Sequence, residues 1–415
     1  MPPWAGDWLR DARPPLSWHF VGMVATAIVV ILLATPTSTP TPAPHTGFPA
    51  SYYSGPLGAD NILPRRPEGA LLGVWTGGTG VRPAQKIARL QALQTAAGRR
   101  IDVVGHHYAG GGTFAGQPQC AFTDDDVTME WTIANGSAVY LTWTPDRWSG
   151  NGESVIRQIL SGVRDPCIYA MAAKLRDKGV RIMLRPFHEF NDAGAQYHRR
   201  GDGTLDYATE AAQRQALIDV WRYLVGRFQA AGANNVGFFW APDEGGGSRS
   251  LVSLSYPGNA YVDWVGSDRY NSASLIHFSG CAVNGWVEFY RIFNYPISQC
   301  GQQNFHDQFA VANGKPFFVG ETSTRYDSAI PGRKNTWYAD IAKAKDPADT
   351  ARYMPNLIGV SVFDQYIVGE NNSDSRIDSN QTDAMATSGT LGTQDPAYGL
   401  NGWVTLARDA RWNAG

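Results

Sequence analysis

Val180-Arg181-Ile182-Met183-Leu184-Arg185-Pro186-Phe187-His188-Glu189-Phe190-Asn191 starts as a strand and ends in a cluster of ionisable side chains. Lys178-Gly179, just before it, is a helix stop. Val180 to Leu184 is a short apolar run around one Arg, the pattern of a buried parallel strand. Side chains alternate along a strand, so Arg185, Phe187 and Glu189 are expected on one face. An acid at the carboxyl end of a buried parallel strand lies where an α/β barrel keeps its chemistry. The plain alternative is a solvated carboxylate on a loop.

Lys315-Pro316-Phe317-Phe318-Val319-Gly320-Glu321-Thr322-Ser323 repeats the design. An apolar strand follows the helix stop Asn313-Gly314 and ends in a Glu. Alternation puts Phe317, Val319 and Glu321 on one face. Two strand-terminal glutamates suggest the carboxylate pair of glycoside hydrolysis, one a general acid and one a nucleophile or base.

Six further runs complete the pattern. Leu71–Trp75, Arg100–Tyr108 and Ala138–Trp143 read as strands one to three, and the opening stretch is the fourth. Val236–Trp240, Tyr261–Ser267 and Leu357–Phe363 are the fifth, sixth and eighth, and the Glu321 run is the seventh. Helical patterns fall between them at 82–97, 124–134, 165–178, 206–231, 305–312 and 337–345. Strands alternating with helices imply parallel βα units, and eight units imply a (β/α)8, or TIM, barrel. In such a barrel all strand carboxyl ends ring one mouth. Glu189 and Glu321 can then face each other across it.

The 415 residues are enough for one barrel domain, assigned to 65–415. A net charge of −2 gives no electrostatic footprint for nucleic acid. Residues 1–17 carry Arg10 and Arg13 ahead of an apolar run at 18–34, which reads as a signal anchor or a signal peptide. The arginines favour a cytoplasmic N-terminus, with the domain outside the membrane, anchored or secreted. Residues 35–64 form a Thr/Pro-rich linker. Four cysteines in an exported chain suggest two disulfides, read as Cys120–Cys167 and Cys281–Cys300. Their spacing fits no zinc site. The polar stretch 372–383 lacks calcium-loop spacing and reads as surface. Nothing in the sequence calls for a cofactor, a metal or an oligomer.

At these residues the chain resembles glycoside hydrolase family 26, the β-mannanase family of a retaining barrel clan. The matching pieces are Arg185-Pro186-Phe187-His188-Glu189, Gly320-Glu321-Thr322-Ser323 and Tyr261-Val262-Asp263-Trp264-Val265-Gly266-Ser267-Asp268-Arg269-Tyr270-Asn271, with Trp143-Thr144-Pro145 weaker. The resemblance covers roughly residues 68–370. It implies Glu189 as acid/base, Glu321 as nucleophile, the two within about 6 Å as a retaining pair requires, His188 on the sugar at the cleavage subsite and Tyr270 hydrogen-bonded to the nucleophile. Like charges at such separation repel, so one carboxyl keeps its proton as the acid. Arg185 is expected to anchor the neighbouring carboxylate or to sit in the barrel core with a structural acid.

After the strand-four acid the family usually carries a Gly and a Trp-rich turn. Here residues 190–200 hold no Trp: either Tyr197 replaces it or the subsite differs. That departure concerns the glycan more than the hydrolysis, since the family also holds β-glucanase and β-1,3-xylanase activities.

Trp75, Trp143 and Trp240 lie at or near strand carboxyl ends and are expected to line the cleft. His107, ending strand two, is a candidate for a sugar hydroxyl or a structural His. Asp243-Glu244 reads as a solvated or rim pair. The leading function is an endo-β-1,4-mannanase. The alternatives are the same machinery on β-glucan, xylan or an envelope polysaccharide, and a non-catalytic carbohydrate-binding barrel.

Overall fold

The apolar runs close into a single parallel barrel in a computed structural model of the protein. The structure describes residues 62–64, 68–77, 81–109, 113–114, 117–118, 126–145, 152–191, 196–243, 249–271, 274–276, 282–284, 286–293, 304–324, 330, 332–364, 366–367, 373–374, 376–377 and 399–412. The chain divides into units 1–41 and 42–415, and every described residue lies in the second. The apolar run at 18–34 and Cys120, Cys281 and Cys300 lie outside the described residues, and with them both disulfide pairings. Buried Cys167 is disulfide-bonded. Among the described residues no helix is long and apolar enough to cross a membrane.

The barrel strands are β1 Leu71–Thr76, β2 Val103–Ala109, β3 Ala138–Thr144, β4 Ile182–Pro186, β5 Val236–Trp240, β6 Trp264–Asp268, β7 Phe317–Thr322 and β8 Leu357–Asp364. Each pairs in parallel with its sequence neighbours, and β1 pairs with β8 to close the ring, Leu71 opposite Gly359. All eight expected strands are present, with ends shifted by a few residues. β4 starts later than its apolar run and carries Arg185 and Pro186 inside the ladder.

Helices cover the outside. They are α1 Pro83–Ala97, α2 Asp126–Ala134, α3 Val155–Leu160, α4 Asp165–Arg176, α5 Glu210–Ala230, α6 Arg249–Leu254, α7 Phe289–Phe293, α8 Arg333–Asp340 and α9 Leu400–Arg408. The run expected as a helix at 305–312 is a π-helical turn, His306–Val311. Local chemistry sets the ends. α1 has Pro83 in its first turn, and Gly98 adopts φ 71°, from which its N–H reaches Gln94 O at 2.9 Å. α5 begins at Thr209, whose hydroxyl accepts from Ala212 N. It buries Leu217, Val220, Trp221, Leu224, Val225 and Phe228 along one stripe.

Two apolar layers follow from strand alternation. Leu71, Val103, Tyr140, Met183, Phe239, Trp264 and Phe318 fill the barrel. Leu72, Val104, Leu141, Leu184, Phe238, Val265, Phe317 and Val319 pack outward under the helices. Large inward rings are matched by glycines: a Cβ on Gly237 would lie 2.4 Å from the Trp264 ring. Ile62 and Leu63, read from sequence as linker, belong to the inner layer. They close the amino-terminal end of the barrel, where Trp264 Nε1 donates to Ile62 O at 3.3 Å. The domain therefore starts earlier than residue 65. Arg376 and Ile377, in the stretch read as surface, are buried too. Lys334 Nζ donates to Arg376 O, and Ile377 N donates to Asp364 Oδ1 at 2.7 Å.

Candidate active site

The barrel mouth brings together the carboxyl ends of β4, β6 and β7. His188, Glu189, Asp268 and Glu321 each place one nitrogen or oxygen atom within 4.8 Å of all the others. Glu189 and Glu321 therefore meet across the mouth inside the expected separation.

Neither glutamate arrives by simple alternation. Phe317 and Val319 face the outer layer, so an unbroken β7 would turn Glu321 outward too. Val319 pairs with Ser267 and Glu321 with Asp268, so Gly320 is an extra residue on β7. That bulge re-aims Glu321 into the mouth. Gly320 is required there, because a Cβ would stand 2.6 Å from Asp268 Oδ1 and 3.0 Å from the Tyr140 hydroxyl. On β4 the ladder ends at Pro186, and Phe187 and Glu189 take φ of 58° and 46°. Phe187 thus swings into the outer layer, away from the inward face of Arg185. The single-face expectations for Arg185-Phe187-Glu189 and Phe317-Val319-Glu321 are both corrected.

Under the glutamates lies Arg185, fully buried. Its guanidinium pairs with Asp268, donates to Glu321 Oε1 at 3.1 Å and to the Tyr140 hydroxyl at 3.0 Å, and Nε reaches Ala241 O at 3.3 Å. Arg185 is an anchor beneath the site rather than a substrate contact. The four-residue cluster has cation-ligand chemistry, but this guanidinium already supplies its positive charge. His188 Nε2 lies 3.0 Å from Glu321 Oε1. Tyr270 donates to the other oxygen, Oε2, at 2.7 Å, as the resemblance implies.

These partners separate the two carboxyls. Burial pushes Glu189 up, His188 opposes, and the nearby charges of Glu321 and Asp243 add, leaving it at about 7. Burial also acts against the Glu321 charge, but His188, Arg185 and Tyr270 outweigh it and hold Glu321 well below the usual carboxylate range. At pH 7 Glu189 is about half protonated, while Glu321 is ionised. Burial lowers His188, but Glu189 and Glu321 raise it above its ordinary value.

Arg185→Leu is expected to destabilise the fold by about 3–5 kcal/mol, because it leaves Asp268 and Glu321 buried without their cation. Arg185→Leu with Asp268→Leu should recover part of that loss. Denaturant unfolding of the two variants checks this, and a single-variant cost below roughly 1 kcal/mol would refute it.

The aromatic candidates divide by parity. Trp75 is on an inward position of β1, half-buried at the mouth and stacked on Phe363 at 4.7 Å. Trp143 and Trp240 are on outward positions and fully buried beneath helices, Trp240 against Phe190, Tyr256 and Phe309. Their expected place in the cleft is corrected. Tyr197 is buried as well, its hydroxyl bonded to His188 O at 3.0 Å, so it replaces no stacking Trp. His107 reaches the mouth, half-buried, with its ring 6.2 Å from that of His188 and Nε2 hydrogen-bonded to Thr144. Burial and the neighbouring His188 lower it to about 4, so it is neutral at pH 7.

Sequence reading missed Asp268, Tyr140 and Phe363. Asp268 carried a usable signal, since it stands two residues before Tyr270 at a strand end. Asp243 sits at the rim with Arg269 Nη1 at 3.8 Å, and its backbone exchanges hydrogen bonds with Asn191. Glu244 lies outside the described residues.

Beside the site, His198 is 2% exposed, and neither ring nitrogen has a hydrogen-bond partner. Burial lowers it from 6.5 to about 4. The unfolded chain protonates this His below 6.5 and the folded one only below about 4, so stability is lost as pH falls through that window. His198→Phe should remove about 2–3 kcal/mol of that acid sensitivity. The check is unfolding free energy at pH 7.5 and 4.5, with an unchanged difference between the two as the contrary result.

A profile of glycosyl hydrolase family 26 matches residues 146–296, which hold Arg185, His188, Glu189, Asp268 and Tyr270 but not Glu321. Endoglucanase H of Acetivibrio thermocellus is 26% identical over 274 residues, 66% of this chain and 26% of that protein. A mannan endo-1,4-beta-mannosidase of Bacillus subtilis is 27% identical over 97 residues, 23% of this chain and 25% of that protein. The chain spans about a quarter of the length of these two relatives. Among solved structures, the catalytic domain of a family 26 endo-beta-1,4-mannanase from Bacillus sp. JAMB-750 superposes with a TM-score of 0.52 at 15% identity, over 83% of this chain and 86% of that one. A Bacillus subtilis mannanase gives 0.50 at 14% identity, over 85% and 87%. At those identities the likeness is one of fold. Together, the profile match over residues 146–296, the sequence relatives and the closed barrel make this chain similar to glycosyl hydrolase family 26 in sequence and in fold.

Proposed function

We propose that this protein is a retaining endo-β-glycosidase acting on a β-1,4-linked polysaccharide, with mannan as the favoured substrate. The observation that carries the reading is the carboxyl pair. Glu189 and Glu321 approach within 4.8 Å, one raised to about 7 and the other held ionised. A retaining pair stands about 5–5.5 Å apart, whereas an inverting pair leaves room for a water at about 6.5–9.5 Å.

In the first step Glu321 attacks the anomeric carbon while Glu189 gives its proton to the glycosidic oxygen, and the leaving sugar departs neutral. The product is a glycosyl ester on Glu321. In the second step Glu189, now ionised, takes a proton from water, and the hydroxyl displaces Glu321. Tyr270, Arg185 and His188 hold the nucleophile in line and stabilise its charge when it is released. Trp75 and His107 line the mouth for the sugar.

Mannan is supported by relatives named as mannosidases. A β-glucan reading has its own support, since the relative matched over 66% of this chain is an endoglucanase. A place outside the cytoplasm is supported by the apolar run at 18–34 and by the bonded state of Cys167.

The test is reducing-sugar release from galactomannan, glucomannan, mixed-linkage β-glucan and β-1,3-xylan, with Glu321→Ala as control. Release from the mannans alone, lost in the variant, supports the proposal. Release from another polymer replaces the substrate and keeps the mechanism. Tight binding without release would leave a carbohydrate-binding barrel.

A further inference from the structure

The turn that carries the acid/base is held in a conformation it does not favour. Phe187 and Glu189 are the non-glycine residues with positive φ among those described, and they flank His188. Each such residue costs on the order of 1–3 kcal/mol and persists only where its surroundings over-determine it. The β4 ladder ends at Pro186; Phe187 N still donates to Trp143 O of β3 at 3.0 Å, and His188 and Glu189 lie beyond the strand.

Side chains from a later segment take over. The 3-10 turn Gln196–His198 brings Tyr197 beneath the strained residues. Its ring meets the Phe187 ring edge-on at 5.3 Å, and its hydroxyl donates to the His188 carbonyl at 3.0 Å. Two contacts thus grip the turn, one on each side of the Phe187–His188 peptide. The segment is itself anchored. Asp206 N donates to His198 O at 3.1 Å. The Asp206 carboxylate accepts from Ser154 N, just ahead of α3, at 2.6 Å and from Arg200 at 3.1 Å.

We propose that Tyr197 is a positioning residue for the acid/base, its hydroxyl pinning the His188 carbonyl between two left-handed residues and so fixing where Glu189 points. This rests on the glycosidase reading above. Tyr197 touches no substrate, because it is buried below the turn. Without its hydroxyl the turn relaxes, and Glu189 spends less time in line with the leaving oxygen. Glu321 shares only its His188 contact with this turn, and its bonds to Tyr270 and Arg185 come from elsewhere and keep it in place.

The experiment compares two leaving groups in Tyr197→Phe, which keeps the ring against Phe187 and removes one bond. A sugar leaving group needs the proton from Glu189, and 2,4-dinitrophenolate does not. kcat/KM reports the first displacement for both. On glucomannan kcat/KM should fall about tenfold. On the 2,4-dinitrophenyl β-glycosides of mannobiose and cellobiose it should change less than about twofold. Asp206→Ala loosens the same segment from a distance and should move the ratio in the same direction.

Equal losses on both substrate classes would mark Tyr197 as merely structural and overturn the proposal, as would no loss on either. A wild-type protein inert toward all three substrates would overturn the glycosidase reading, and this proposal with it.

Discussion

Under the proposed mechanism Glu321→Ala is expected to lower turnover on the polysaccharide by roughly 100,000-fold, because it removes the group that attacks the anomeric carbon. Glu321 is held at both oxygens, by Tyr270 at 2.7 Å on one and by His188 at 3.0 Å and Arg185 at 3.1 Å on the other. These bonds keep it ionised and immobile, the two conditions a carboxylate nucleophile needs. The variant should still fold, since Arg185 retains its pairing with Asp268. Added azide provides a sharper measurement than activity alone. Azide entering the space left by Glu321 displaces an activated leaving group once, so the product from a β-glycoside is the α-glycosyl azide. Loss of less than about 100-fold, or no α-azide, would show that Glu321 is not the nucleophile.

Glu189→Ala is expected to behave differently. On the polysaccharide kcat/KM should fall about 1,000-fold, the scale of general acid catalysis. On a dinitrophenyl β-glycoside, which needs no proton, kcat/KM should hardly change. Azide should then attack the glycosyl ester on Glu321, a second inversion, and deliver the β-glycosyl azide. The pH dependence comes from the raised value of about 7. Glu189 must carry its proton to act as the acid, so kcat/KM of the wild type on polysaccharide should decline as pH rises through about 7. The low limb is not set by Glu321, which stays ionised into acid. A dinitrophenyl substrate should lack the decline near 7. A decline of equal size on both substrates would assign that limb to another group.

Much of this site was legible in the chain. Apolar runs, helix stops at Lys178-Gly179 and Asn313-Gly314, and an acid at each strand end located β4, β7 and both glutamates. Alternation then failed at those same acids. It placed Phe187 beside Arg185, where a positive φ turns Phe187 outward. It placed Glu321 beside Phe317, where the Gly320 bulge reverses the parity. It could have excluded Trp143 and Trp240 from the cleft, since each comes one residue after an inward position, but the inward set is known only once the strands are registered.

The sequence by itself determined the eight strands, their parallel order and the presence of two strand-end glutamates, because local periodicity and chain punctuation are properties of neighbouring residues. Only the tertiary structure decided how those glutamates are aimed and charged. Arg185 and Asp268 are 83 residues apart in sequence, and Arg185 and Glu321 are 136 apart. Their pairing exists only because barrel closure brings β4, β6 and β7 to one mouth. The bulge and the left-handed turn are likewise set by the strands and side chains packed against them. The proton on Glu189 and the charge on Glu321 depend on burial and on these distant partners, which no local pattern in the chain encodes.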